Sequence, residues 1–197
     1  RTLCLIFALA WFTNEGASRG DVLLATNAIL MQFVTFAAFF LDGYALAAES
    51  LTGNAVGARN PKQLDLTLRY ISELGLITSC LLTIVFWLVG PLTIDILTTA
   101  EDVREMARVF LPWAIAAPIV SLWCFLLDGV FIGATCTREM RNAMIASLLV
   151  YLLAWYYLAP TYDNHGLWMS LMIYYIARAV TLFAYLGRVR AVTAGTP

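Results

Sequence analysis

The feature that most restricts this chain is a series of long stretches without a single Asp, Glu, Lys or Arg, joined by short polar connections. Val22 to Leu41, Leu74 to Ile94, Val109 to Leu127 and Asn142 to Tyr162 are all of this kind. A helix needs about 20 such residues to cross the hydrocarbon layer of a bilayer. A fifth stretch, Asn164 to Gly187, is interrupted by Arg178, and a sixth, Thr2 to Asn14, would reach only about 20 Å at the helical rise. The expected fold is all-α: a polytopic transmembrane helix bundle of six spans, at about 1–17, 21–57, 67–97, 103–134, 139–160 and 164–188. These form one unit, 1–190, followed by a cytoplasmic tail, 191–197.

Composition agrees, with 61% hydrophobic and 13% charged residues and a mean hydropathy of +0.79. Soluble domains carry about twice that share of charge. The short first stretch has the length of a signal-peptide core, but Trp11-Phe12-Thr13-Asn14-Glu15 offers no small-residue cleavage site, so it reads as a truncated span. Cys4, Cys80, Cys124 and Cys136 lack paired spacing and imply neither a disulfide framework nor a metal site. A net charge of −1 and a pI near 5.8 leave no basic patch for nucleic acid. No metal cluster or nucleophile and base pair stands at catalytic spacing, so an enzyme is not expected.

If the six spans alternate, Arg1, Arg59, Lys62, Arg69, Arg138, Arg141, Arg188 and Arg190 gather on one side and only Arg19, Arg104 and Arg108 on the other. The richer side is expected to be cytoplasmic and to carry the carboxyl terminus, in a cell inner membrane. Trp155, Tyr156, Tyr157 and Tyr162 then form an aromatic belt near the outer boundary. Pro112 and Pro118 each remove a backbone donor from the fourth span and favour kinks. Small residues four apart, Gly43 with Ala47, Gly53 with Gly57 and Gly129 with Gly133, suit close helix packing in a membrane.

Acids in such surroundings need a reason. Asp42 and Glu49 are seven residues apart, and seven helical steps fall within about 20° of two full turns, so they share one face. Asp128-Gly129, four residues before Gly133, repeats the pattern of Asp42-Gly43 at a similar depth. An ionised acid at mid-bilayer costs roughly 2.5 to 3.5 kcal/mol, and such residues usually mark ion or substrate pathways. Asp42, Asp128 and Glu49 are therefore the candidate ion-coupling residues, with a cap on a backbone break or a fixed ion pair as the structural alternative. Arg178 needs a counter-charge if buried, and a structural pair with Asp128 or Asp42 is expected. Asn27 and Gln32 on the outer half of the second span are candidates for a substrate cavity, or for bonds between helices. Arg69 and Glu73 read as a local helix pair, and His165 as a residue of the outward turn beside Asp163.

The stretches "LDGYALAAESLTGNAVGARN", "LLDGVFIGATCTREMRNAM" and "HGLWMSLMIYYIARAVTL", in this order, resemble the second half of multidrug and toxic compound extrusion (MATE) transporters, in particular their DinF-like branch. The resemblance runs from the first stretch to about Arg190. It implies two six-helix lobes about a central cavity, of which this chain would be the carboxyl-terminal one, matching helices seven to twelve. Asp42 and Glu49 then fall on the eighth helix and Asp128 on the tenth, where related members place an acid implicated in cation binding. Sodium-linked relatives carry a mid-membrane acid on the seventh helix, where this chain has only Glu15 at the outer end.

The resemblance implies a secondary active antiporter that exports cationic or amphipathic small molecules by alternating access, coupled to H+ or Na+, with no other cofactor. Its partners would be the lipid bilayer, a small-molecule substrate, and an amino-terminal lobe or a second copy. The alternatives are a lipid-linked precursor flippase of a related fold and a non-transporting scaffold subunit whose acids only pair with Arg178.

Overall fold

The computed structural model describes residues 2–195, so Arg1 and the last two residues of the expected tail lie outside it. All regular structure among these residues is helical: α1 (Thr2–Ala17), α2 (Asp21–Gly57), α3 (Pro61–Leu97), α4 (Glu101–Gly133) and α5 (Thr137–Thr193). Helix is the form in which a chain surrounded by hydrocarbon satisfies every backbone group within one segment.

The helix breaks follow from local chemistry. Asn60 caps α3, its side-chain oxygen accepting from the Gln63 amide at 3.2 Å, and Pro61 occupies the first helical position. α2 and α4 end alike. Arg59 and Thr135 take positive φ, and the amides of Asn60 and Cys136 donate back to the carbonyls of Ala55 and Phe131.

Five helices stand where six spans were expected. α5, 57 residues long, departs from helical geometry at Asp163 (φ 52°, ψ −127°). The rings of Tyr151 and Tyr174 lie 5.7 Å apart, whereas the same separation along one straight helix would be about 35 Å. α5 is thus a hairpin with arms 137–162 and 164–193, which are the fifth and sixth apolar stretches. The fold-back needs Gly166, since a Cβ there would stand 2.1 Å from the Leu158 carbonyl oxygen. Four helices, α2 to α5, are long and apolar enough to cross a membrane. α1, at 16 residues, extends about 24 Å and falls short of a bilayer's hydrocarbon thickness.

α4 forms the centre, with 67% of its apolar stretch buried against 22–33% for the others. It continues through Pro112 and Pro118. The Thr83 hydroxyl on α3 donates to the Ile115 carbonyl at 3.1 Å, in the turn that Pro118 leaves short of an amide donor. α1 is held against the α5 hairpin by Phe12 on Trp168 and Trp11 on Trp155, and the Tyr151 hydroxyl donates to the Ala8 carbonyl. Outward, the helices present large apolar side chains such as Ile77, Trp87, Leu92, Leu153 and Val180. Such a surface suits lipid and not water.

The charged loops sort to two ends, as the alternation predicts. Arg190 pairs with Asp65 at 3.1 Å, Arg188 approaches Glu139 at 3.8 Å, and the turn at Gly195 lies beside Arg59. At the opposite end Arg19 pairs with Asp163, and Arg108 with Asp95 at 2.6 Å.

Candidate functional site

A tight crossing of α2 and α4 creates the candidate site. A Cβ on Gly129 would lie 2.0 Å from the Ala45 carbonyl oxygen, and one on Gly133 would lie 2.2 Å from that of Glu49. Only hydrogen fits at either place, so the backbones of α2 and α4 touch. Gly43 and Gly57, paired with other small residues in the sequence, meet nothing within 4 Å. A Cβ on Gly53 would stand 3.6 Å from the Gly133 carbonyl oxygen, an ordinary contact, so the Gly129 to Gly133 step is the tight part of the crossing.

Beside this crossing a pocket of about 250 Å³ opens, lined by Asp42, Ala45, Leu46 and Glu49 of α2 and by Gly129 and Ile132 of α4. The shared face read from the seven-residue spacing is real: both carboxylates line this one cavity. Both are partly exposed, and neither takes part in a hydrogen bond or ion pair with another described residue. Acidic side chains within a membrane-spanning bundle usually face a cavity of this kind and not lipid.

Asp128 is placed differently: although its Asp-Gly pattern repeats that of Asp42, it does not line this pocket, and of the two partners expected for Arg178 it is the one observed. Gly129 faces α2, but the Asp128 side chain, one residue earlier, turns toward α5 and pairs with Arg178. Both partners are buried, with side-chain exposures of 0% and 1%. Buried charges require such a partner because removal from water costs several kcal/mol per ion. The pair is sealed within the lobe, whereas Asp42 and Glu49 remain open to the pocket.

Asn27 also leaves the cavity wall. It is buried, exchanges amide hydrogen bonds with Asn164 at 2.8 and 3.0 Å, and accepts from the Trp168 indole at 3.0 Å. Of the two readings open for it, bonding between helices is the one observed: it ties α2 to the turn of the α5 hairpin. Gln32 does line a cavity, of about 430 Å³, between α2 and α3 in the halves nearer the Arg19 end. That cavity is aromatic, with Phe33, Phe36, Phe39 and Phe86 around Gln32 and Thr35. Its only warning in the sequence is a phenylalanine-rich run, which reads equally as core or lipid contact.

At the end bearing Arg19, His165 is exposed, lies against Phe110 with ring centroids 4.6 Å apart, and accepts from the Trp113 indole through Nδ1 at 3.0 Å. It is therefore bonded to α4 and not merely a loop residue. Arg69 and Glu73 form the local pair expected, at 2.8 Å. Among the described residues, no group of His, Cys, Asp and Glu side chains is placed to hold a metal ion.

Residues 4–158 match the MatE family model. The chain is 38% identical over 184 residues to DNA damage-inducible protein F of Escherichia coli, an alignment that covers 93% of this chain and 40% of that protein. It is 22% identical over 187 residues to Protein DETOXIFICATION 42 of Arabidopsis thaliana, covering 95% of this chain and 36% of the relative. Protein DETOXIFICATION 44, chloroplastic, of the same plant is 23% identical over 180 residues, covering 91% of this chain and 34% of the relative. The chain spans well under half the length of these relatives.

Proposed function

The chain belongs to the MatE family of multidrug and toxic compound extrusion transporters, and from that premise we propose that it is the carboxyl-terminal lobe of a secondary efflux antiporter. In this reading Asp42 and Glu49 form the cation-exchange site. The observation that carries it is their isolation: two carboxylates share one pocket on the α2 face without a counter-charge among the described residues, while the fully buried acid, Asp128, is neutralised by Arg178.

The cycle follows from charge. With the pocket open to the cytoplasm, ionised Asp42 and Glu49 hold a cationic or amphipathic substrate by Coulomb attraction in a medium of low dielectric. The aromatic cavity at Gln32, on the same helix toward the opposite end, supplies apolar surface for the remainder of such a molecule. The lobe then rocks against its partner and exposes the pocket outward. There a proton or Na+ neutralises the carboxylates, and the substrate loses what held it. Linkage is reciprocal, so substrate binding also weakens proton or Na+ binding by the same factor.

Asp128 and Arg178 act as the rigid strut on which α4 moves as one piece with α5. The exposed polar positions of α2, including Gln32, Thr35, Ser50 and Asn54, support a second lobe against this face, since lipid would leave them unsatisfied. The bilayer is the inner membrane, with the Arg59, Arg138 and Arg188 end cytoplasmic.

The test is transport of a cationic dye by everted vesicles carrying the intact protein, under an imposed proton or sodium gradient. Asp42→Asn with Glu49→Gln is expected to abolish gradient-driven transport while insertion remains normal, and Asp42→Cys is expected to react with a charged aqueous thiol reagent. Normal transport by the double variant would remove the assigned role. A thiol introduced at position 42 and sealed from the reagent would favour the scaffold alternative, in which buried acids only pair.

A further inference from the structure

A third cavity, a groove, lies on another face of α4, between α3 and the second arm of α5. Its volume is about 250 Å³, with Trp123 and Leu126 as floor, Leu68 and Phe183 as walls, and Arg69 and Arg190 at its mouth. It opens beside α5, where the half-exposed Phe183 lines it and the exposed Val180 stands one turn before. In a bilayer the neighbour of this opening is lipid. The mouth sits at the end of the protein where Arg59, Lys62 and Arg188 also gather.

The charges at the mouth are mixed. Arg69 pairs with Glu73 at 2.8 Å and Arg190 with Asp65 at 3.1 Å, and all four side chains are more than half exposed, between 52% and 71%. Exposed pairs of this kind contribute little and exchange partners readily. A phosphate gains charge-assisted bonds from the two guanidinium groups, but a purely anionic headgroup is opposed by Asp65 and Glu73. A quaternary ammonium has no N–H to offer those carboxylates. A headgroup that joins a phosphate to a primary ammonium satisfies both arginines and both acids, while its acyl chain follows the apolar floor.

We propose that this groove binds a membrane phospholipid of the phosphatidylethanolamine type, its phosphate between Arg69 and Arg190, its ammonium on Asp65 and Glu73, and an acyl chain along Trp123 and Phe183. The inference rests on the helices lying in a bilayer and is independent of the transport reading.

The intact protein is reconstituted in nanodiscs of equal parts phosphatidylethanolamine, phosphatidylcholine and phosphatidylglycerol, and retained lipid is weighed by native mass spectrometry. Phosphatidylethanolamine is expected to exceed phosphatidylcholine by about tenfold, equivalent to one decade in Kd. R69Q/R190Q should remove the preference, and R138Q/R141Q, which alters exposed bases outside the groove, should keep it. L186W fills the groove with its charges intact and should lower retention of all three lipids. Should R69Q/R190Q not fold, D65N/E73Q asks the same question from the acid side and should shift the preference to phosphatidylglycerol. Equal retention of the ethanolamine and choline lipids, dominance of the glycerol lipid in the unmodified protein, or loss of preference in R138Q/R141Q would each overturn the assignment. So would an unchanged profile in D65N/E73Q.

Discussion

Arg178, on the second arm of α5, closes a fully buried ion pair with Asp128 on α4. Tyr174 and Tyr175, one turn earlier on the same arm, are also buried, so the ion pair stands among polar-tipped side chains inside the lobe. Removing one partner strands the other charge. Arg178→Met is expected to destabilise the folded protein by about 3–5 kcal/mol, and Asp128→Leu with Arg178→Met to recover most of that loss. Unfolding in detergent micelles, followed by tryptophan emission, measures both. A single variant as stable as the parent would show that the pair is not the strut described.

The α2 to α4 crossing makes a prediction that distinguishes glycines by position. Gly129→Ala and Gly133→Ala place a methyl group inside the van der Waals radius of an opposing carbonyl, and each is expected to cost about 1–3 kcal/mol as the helices separate. Gly57→Ala, in open space, should be neutral or stabilise by about 0.5–1 kcal/mol through helix propensity. The same unfolding assay ranks them, and equal losses at Gly57 and Gly133 would contradict the close approach.

Asn27 holds the hairpin turn through Asn164 and Trp168. Asn27→Leu leaves the Trp168 indole N–H and the Asn164 amide without these partners, at a cost of about 1–3 kcal/mol. Because Asn27 lies away from both cavities, the affinity of the folded fraction for a cationic dye should not change. A loss of affinity at full stability would return Asn27 to the substrate site.

Cys136 caps the turn between α4 and α5, and burial pushes its thiol above the ordinary range, Glu139 adding to the rise and Arg188 opposing it. The thiolate is the reactive form. Maleimide labelling of Cys136 at neutral pH should therefore be slower than that of a free thiol and should increase at more alkaline pH. Glu139→Gln removes a raising charge and should speed labelling, while Arg188→Gln should slow it. Mass spectrometry of timed samples reads the rates, and the opposite order would refute the electrostatic account.

Much of the architecture was legible in the sequence because hydrocarbon imposes length and composition on any helix that crosses it. The uncharged stretches located α2 to α5, and the charged loops sorted correctly to two ends. The hairpin at Asp163 was legible as a gap between two stretches, although the short polar turn keeps α5 nearly continuous. The seven-residue spacing also placed Asp42 and Glu49 in one pocket, because helical periodicity alone fixes which residues of a single helix share a face.

What periodicity does not contain is the rotation of one helix against another, and the tertiary structure decided every question that depended on it. Asp42-Gly43 and Asp128-Gly129 read alike, but Gly43 faces open space and Gly129 meets Ala45. That contact turns Asp128 toward Arg178 and leaves Asp42 at the pocket. The physical reason is the order of forces. Transfer into oil is set residue by residue along the chain, whereas the partner of a buried charge is set by which backbones come close enough to touch, and here the two glycines of α4 permit that.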